Sequence, residues 1–302
     1  MDPITAEFEA FEQFLGTIDE DHLDVYKEEF FNRIDGIAER IEQSENAEAL
    51  KEEFFQRCQK IDGSIMHQRT RVKPLGYAGD FQLIDWIYTG ACAPEGPGQL
   101  FDRMFHSYEA AEAVRNRKSY FVEKCIDLAH STDQRVDVLD LACGSCRDVL
   151  EAFEVSQNGH NMFFHCVDQE PRAIHYAQRL IADLDHHDHV QLDVANVFKI
   201  STDRQYDMIW SAGLFDYLDH RTIVLLLKRV WRHLKDGGRI VFGNFGPNNP
   251  TRKGMELVGK WFLIHRSAQE LVEIVRETGL PVREIEVESE PNGINLFCVI
   301  TK

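Results

Sequence analysis

The chain has 302 residues, a formal net charge of −18 and 43% hydrophobic residues. This length can supply a full hydrophobic core in one large or two modest domains. A surface this acidic repels phosphate backbones and anionic lipids, so we expect neither nucleic acid nor a membrane as a partner. The sequence lacks both a run of about 18 apolar residues that would span a bilayer and a basic N-terminal signal segment, which favours the cytoplasm.

The cysteines indicate a reduced protein. There are 7, an odd number without the spacing of a disulfide framework, and reduced thiols are the expected state of such a set. Cys143 and Cys146 form a C-x-x-C pair, which is either a redox motif or two small residues in a turn. Because neither a second C-x-x-C nor a nearby histidine pair accompanies them, we expect no metal site.

The first 110 residues are predicted to form a helical domain. Apolar residues recur at helical spacing through residues 1–68, as in Phe8, Phe11, Phe30 and Ile34. We expect residues 1–110 to form a helical cap that covers the substrate site. Apolar helix faces must be covered, and these helices are therefore also candidates for joining two copies as a homodimer.

Residues 69–90 interrupt this helical pattern. Pro74, Gly76 and Gly79 predict an irregular loop, and Asp80 then begins a helix as its N-cap. The loop is either a lid over the site or an ordinary connector.

From residue 111 onward we expect an α/β domain that continues to residue 302. Strands and helices alternate after Val136, and this predicts a doubly wound, mostly parallel sheet of seven strands. The last two strands, at 281–288 and 294–301, have no helix between them and read as a terminal antiparallel hairpin.

Two acidic residues follow buried strands in this domain. The strand Val136–Leu141 contains Asp140 and leads into the small residues Ala142 to Cys146 and then a helix, and the next strand ends at Asp168. A strand, a small-residue turn and a helix allow the backbone to approach a ligand. An acid at the end of the second strand can accept hydrogen bonds from both hydroxyls of a ribose.

These residues resemble the first motif of class I S-adenosylmethionine-dependent methyltransferases, with Ala142 and Cys146 at positions where glycine is usual. The dinucleotide pattern G-x-G-x-x-G fits less well, because only Gly144 of its three glycines is present. The resemblance implies S-adenosylmethionine as the cofactor and the seven-stranded Rossmann-like fold. The cofactor-binding residues that it implies are Asp140, Ala142, Gly144, Asp168, Gln169, Asn196 and Ser211. Asp193 is an alternative to Asn196 at the adenine.

A narrower resemblance covers Lys73–Asp80, Met255-Glu256 and Trp261–Arg266. These segments are similar to bacterial methyltransferases labelled 3-hydroxypalmitic acid methyl ester biosynthesis, and that label implies a carboxylate or hydroxyl acceptor.

Candidate acceptor-side residues follow the strands or come from the helical domain. As general base the candidates are Asp216, Asp80 and His106, and as substrate-binding residues they are Tyr77, Arg147, Tyr217, Asn244 and Arg266. A hydroxyl or amine acceptor needs a base, whereas a carboxylate acceptor does not. We therefore expect methyl transfer to an oxygen or nitrogen of a small molecule. The alternatives are a nicotinamide-dependent oxidoreductase and a non-catalytic ligand-sensing protein on the same fold.

Overall fold

The computed structural model describes residues 3–19, 22–156 and 161–302. The chain divides into two compact units: Met1–Glu112 with Asn249–Phe262, and Ala113–Asn248 with Leu263–Lys302. The return of residues 249–262 to the first unit was not predicted from the sequence.

Helices of the described residues are numbered in chain order. They are α1 Pro3–Leu15, α2 Leu23–Glu42, α3 Ala47–Arg57, α4 Ile65–Val72, α5 Phe81–Thr89, α6 Pro97–His106, α7 Glu109–His130, α8 Arg147–Val155, α9 Pro171–Ile181, α10 His220–Val230, α11 Arg252–Leu257 and α12 Ala268–Glu277. None of the helices in these ranges is long and apolar enough to cross a membrane.

Aromatic side chains form the core of the first, helical unit. Phe54 of α3 lies 5.2 Å from Phe8 and 5.1 Å from Phe11 of α1, measured between ring centroids. Phe11 in turn lies 5.5 Å from Phe30 of α2. Aromatic pairs at these separations are favourable beyond their buried area, so the phenylalanines spaced along the sequence hold three helices together.

A single sheet organises the second unit. Its strands are β1 Val136–Leu141, β2 Met162–Asp168, β3 Val190–Val194, β4 Tyr206–Ser211, β5 Leu234–Phe245, β6 Glu284–Ser289 and β7 Asn295–Thr301. They lie in the order β3-β2-β1-β4-β5-β7-β6. Strands β1 to β5 are parallel, and β7 pairs antiparallel with both β5 and β6. The predicted fold class, a mostly parallel seven-stranded sheet with a terminal hairpin and N-terminal helices, is confirmed.

Helices cover both faces of this sheet. Phe121 of α7 and Ile174 of α9 belong to one apolar cluster with Val138 of β1. Leu226 of α10 and Ile274 of α12 belong to a second cluster on the other face. Because parallel strands are buried on both faces, their side chains are apolar almost throughout, which explains why β1 and β4 read as nearly continuous hydrophobic runs.

The loop after β1 takes an uncommon backbone conformation. Ala142, Gly144 and Cys146 have φ values of 58°, 59° and 54°. The backbone N–H groups of Ala142 and Cys143 both donate to Val167 O, at 2.8 Å and 3.2 Å. Non-glycine residues rarely adopt a positive φ because Cβ crowds the backbone. Ala142 and Cys146, the two positions that depart from glycine, are therefore strained. The hydrogen bonds from Ala142 and Cys143 to the end of β2, and from Cys146 N to Cys143 O at 3.1 Å, hold the bend in place.

We predict that Ala142→Gly raises the free energy of unfolding by up to about 1 kcal/mol. Relief of the left-handed strain is worth roughly 1–2 kcal/mol, and the added backbone entropy of glycine offsets about 0.5–1 kcal/mol of it. Ala142→Val should instead destabilise by more than about 1 kcal/mol, since β-branching aggravates the crowding. Urea unfolding at constant m-value measures both changes. Equal stability of the two variants would contradict the left-handed bend.

Candidate functional site

The candidate site lies at the carboxyl ends of the central strands. Strand β1 pairs with β2 on one side and β4 on the other, so the chain reverses its winding direction between β1 and β4. Open α/β sheets bind ligands outside the carboxyl ends of the strands at this switch point. Asp140 on β1, Asp168 on β2 and Ser211 on β4 all lie near these ends.

Asp168 is held at the end of β2 by backbone donors. Its side chain is only 5% exposed. Gly144 N donates to Oδ2 at 3.0 Å, and Glu170 N donates to Oδ1 at 2.9 Å. Burial raises the pKa of Asp168. Since a carboxylate can accept about four hydrogen bonds, the fixed side chain keeps acceptor capacity for two hydroxyl groups.

Asp140 is buried beside the same loop. It is 2% exposed, and its Oδ2 has no hydrogen-bond partner among the described residues. Burial, followed by the nearby Asp148 and Asp168, raises its pKa well above the usual range for a carboxyl group. A buried acceptor without a partner is costly, so this atom suits a ligand that brings a donor or a positive charge.

Arg117 of α7 is a buried cation that the sequence analysis missed. It is 5% exposed, and a Cβ at position 213 would lie 3.0 Å from its Nη1. The absence of a side chain at Gly213 therefore makes room for the Arg117 guanidinium group. Burial raises the pKa of Asp148 to about 6 and that of Asp216 to about 7, and the charge of Arg117 opposes both shifts. No motif marks Arg117, because it lies in a helix far from the other site residues in the chain.

The two candidates for the adenine contact have different surroundings. Asp193 on β3 accepts from Gln191 Nε2 at 2.7 Å and pairs with His165 Nε2 at 2.8 Å. Asn196 is exposed, and its Oδ1 accepts from Phe198 N at 2.8 Å at the start of a short turn. Gln169 is also exposed. The Asp193 carboxylate is thus engaged by Gln191 and His165 within the sheet. Asn196 is exposed and uses its side-chain oxygen in the turn, so it remains a candidate for the adenine contact through its amide nitrogen.

Ser211, which the sequence predicted to contact the cofactor, has a side-chain partner within the sheet. It is buried, and its Oγ donates to Leu141 O at 3.0 Å. This bond joins the end of β4 to the end of β1. The Ser211 side chain therefore helps to position the two strands that flank the switch point, and its contact with the cofactor stays a prediction.

Asn244 and Arg266 were predicted to bind substrate, but the structure places both in a buried network. Arg266 is 5% exposed, and its Nη1 donates to Asn244 Oδ1 at 2.7 Å and to Phe215 O at 3.0 Å. Asn244 Nδ2 donates to the backbone oxygens of Phe245 and Ile264, each at 2.9 Å. These bonds favour a structural role, because both polar groups are engaged with the backbone that follows β4 and β5.

Asp216 belongs to the same region. Its Oδ1 accepts from Phe245 N at 2.7 Å, and its backbone oxygen accepts from Ile264 N at 2.8 Å. Tyr217, its neighbour, is half-buried. Arg147 at the start of α8 donates through Nη2 to Tyr176 OH at 3.4 Å.

The candidates from the helical unit have local partners. Asp80 is fully buried, caps α5 by accepting from the backbone N–H groups of Gln82 and Leu83, and pairs with Arg69 Nε at 2.7 Å. His106 Nε2 lies 2.8 Å from Ala91 O, and Tyr77 is half-buried. The capping role predicted for Asp80 is present, and its carboxylate is engaged by two backbone donors and Arg69.

Comparisons with known proteins bear on this site. Residues 139–240, which include the end of β1, the loop and β4, match a methyltransferase domain family. No curated protein sequence matches the chain.

Solved structures share the fold at low sequence identity. A possible exported protein from Bordetella parapertussis has a TM-score of 0.61 and 18% identity, over 74% of this chain and 79% of that one. Magnesium protoporphyrin IX methyltransferase from Synechocystis PCC 6803, with bound S-adenosylhomocysteine, has a TM-score of 0.50 and 10% identity, over 64% and 87%. The S-adenosylmethionine-dependent methyltransferase SibL has a TM-score of 0.51 and 16% identity, over 74% and 61%. Residues 139–240 are therefore similar to a methyltransferase domain, and the sheet has a fold that solved methyltransferase structures share.

Proposed function

We propose that this protein transfers a methyl group from S-adenosylmethionine to an oxygen or nitrogen of a small-molecule acceptor. The observation that carries the proposal is the position of Asp168. It ends β2, is fixed by the N–H groups of Gly144 and Glu170, and adjoins the left-handed loop within the segment that matches a methyltransferase domain.

The residues around the loop fit such a cofactor. Asp168 would accept from the ribose hydroxyls, and Gln169 and Asn196 would line the adenosine. The backbone of Ala142 and Gly144 would approach the amino-acid end, with Asp140 beneath it. The cofactor supplies a methyl group already activated on a sulfonium, so the protein contributes chiefly alignment of donor and acceptor.

The charge distribution supports a cationic donor. Asp140, Asp148, Asp168 and Asp216 are all buried in this unit. Burial raises the pKa of each carboxyl group. A positive charge bound beside these acids would favour their ionised form and so oppose the effect of burial, because unlike charges interact strongly where water is excluded.

Asp216 is the proposed general base for a hydroxyl or amine acceptor. Its pKa of about 7 matches the requirement that a base accept a proton near neutral pH. The narrower resemblance supports carboxylate and hydroxyl compounds as the first acceptors to test, and a carboxylate would need no base. Substrate contacts by Tyr77, Arg147 and Tyr217, homodimerisation through the N-terminal helices and a cytoplasmic location stay predictions.

Isothermal titration with S-adenosylhomocysteine tests the cofactor assignment. We expect the wild-type protein to bind and Asp168→Ala to bind at least about 10-fold more weakly, since a hydrogen bond to a charged acceptor is worth about 1.5–3 kcal/mol and two ribose hydroxyls would lose their acceptor. Asp137→Ala is the matched control. It removes a carboxylate from the opposite end of the neighbouring strand, and we expect unchanged affinity. Equal binding by wild type and Asp168→Ala would remove the ribose assignment.

The ionisation of Asp216 can be tested through stability. A free aspartate has a pKa of about 3.9, and the folded-state pKa is raised to about 7. The stabilising contribution is full below about pH 4, where both states are protonated, and is lost as the pH rises to about 7. The free energy of unfolding of the wild type should therefore fall across this range relative to that of Asp216→Asn.

The asparagine variant keeps an oxygen that can accept from Phe245 N but has no carboxyl group to ionise. The difference between the two proteins therefore reports the ionisation of Asp216 alone. Urea unfolding at several pH values measures the difference. Asp236→Asn, at a carboxylate that is 99% exposed, is the control and should follow the wild type. Parallel curves for wild type and Asp216→Asn would contradict the raised pKa.

A further inference from the structure

Three cysteines and one aspartate converge beside the loop after β1. Asp140 and Cys166 are directly opposite one another in the register of β1 and β2. Cys143 and Cys146 lie in the loop that continues β1. Adjacent parallel strands place opposed residues on the same face of a sheet, so Cys166 joins the C-x-x-C pair although 20 residues separate it from Cys146.

The potential ligand atoms are close together. A carboxylate oxygen of Asp140 and the Sγ atoms of Cys146 and Cys166 all lie within 4.8 Å of one another. The thiols of Cys143, Cys146 and Cys166 also hydrogen-bond among themselves. Cys146 and Cys166 are fully buried, and Cys143 is 8% exposed. The cluster thus places three sulfur atoms and one carboxylate oxygen in a buried environment, in which Cys143 is the most exposed of the three cysteines.

One of these atoms lacks a partner. Asp140 Oδ2 is buried and makes no hydrogen bond with any residue that the structure describes, although thiols are nearby. Leaving a buried acceptor unpaired costs about 1–3 kcal/mol. This observation points to a ligand, because a cation at the centre of the cluster would satisfy the oxygen and the sulfur atoms together.

We propose that Asp140, Cys143, Cys146 and Cys166 form a binding site for a zinc ion. Zinc prefers four tetrahedral ligands, with Zn–S near 2.3 Å and Zn–O near 2.0–2.2 Å, which places ligand atoms about 3.5–3.8 Å apart. The ligand atoms of Asp140, Cys146 and Cys166, which lie within 4.8 Å of one another, would need to approach by roughly 1.0–1.3 Å at most. Cys143, whose thiol hydrogen-bonds to those of Cys146 and Cys166, would supply the fourth ligand. Thiolate ligands favour zinc over magnesium and calcium, and binding releases the protons of the coordinating thiols and carboxyl group.

The electrostatic surroundings are consistent with a divalent cation. Asp148 and Asp168 both contribute to the raised pKa of the Asp140 carboxyl group. An ion with two positive charges beside Asp140 would therefore offset the negative charge of several acids. The sequence predicted no metal, because it could not show that Cys166 completes the set. The site goes beyond the proposed function, since binding of zinc requires neither the methyl donor nor an acceptor, but it shares Asp140 and the loop after β1 with the proposed cofactor site.

Equilibrium dialysis of the metal-stripped, tag-free full chain against zinc, followed by elemental analysis, tests the site. We expect one zinc per wild-type chain. Cys166→Ala should bind at least about tenfold more weakly, because even the outer partners of metal ligands are worth 10- to 100-fold in affinity. Cys298→Ala removes a buried thiol of β7 from the other apolar cluster and should bind zinc like the wild type.

Cobalt provides a readout of the ligand type. Wild-type protein loaded with Co²⁺ should show thiolate-to-cobalt charge-transfer absorption, and Cys143→Ala should weaken it even if Cys166→Ala fails to fold. The proposal is overturned if wild type binds no zinc, if Cys166→Ala binds it equally, or if the cobalt absorption is absent. Titration of the stripped protein with S-adenosylhomocysteine separates the two proposals, because retained cofactor affinity with no zinc binding rejects the metal site alone.

Discussion

The candidate site depends on the hydrogen bonds that tie the bend after β1 to the end of β2. Ala142 N and Cys143 N share Val167 O as their acceptor, and Gly144 N donates to Asp168 Oδ2. These three donors are backbone groups, so their positions follow from the left-handed loop itself. The strain at two non-glycine residues persists because these bonds determine the conformation. The same bonds fix the carboxylate that we assign to the ribose.

Buried polar groups secure the rest of this edge of the sheet. Ser211 joins the ends of β4 and β1. Asp216 accepts from Phe245 N, and Arg266 binds the backbone that follows β4. Each is buried and hydrogen-bonded, and loss of one partner would leave another without compensation. These bonds fix the backbone around the crevice, and our proposal assigns cofactor recognition to the loop, Asp168 and the exposed residues beside it.

Sequence reasoning reached the fold and the position of Asp168 because both follow from local patterns. Strand–helix alternation gives a parallel sheet, and an acid at a strand end needs only the strand to be recognised. It missed the hydrogen bonds that Arg266 makes to Asn244 and Phe215, the burial of Arg117 and the position of Cys166 beside the C-x-x-C pair. Each of these depends on which distant segments meet in the folded chain. The inclusion of residues 249–262 in the helical unit was missed for the same reason, because it also depends on contacts between segments that are distant in the chain.

A crystal structure of the protein grown with saturating S-adenosylhomocysteine would test the central assignment most directly. We predict electron density for the adenosine ribose with both hydroxyls within hydrogen-bonding distance of the Asp168 carboxylate, and for the amino-acid end beside the backbone of residues 142–144. A ribose bound elsewhere, or an empty crevice at that concentration, would contradict the account.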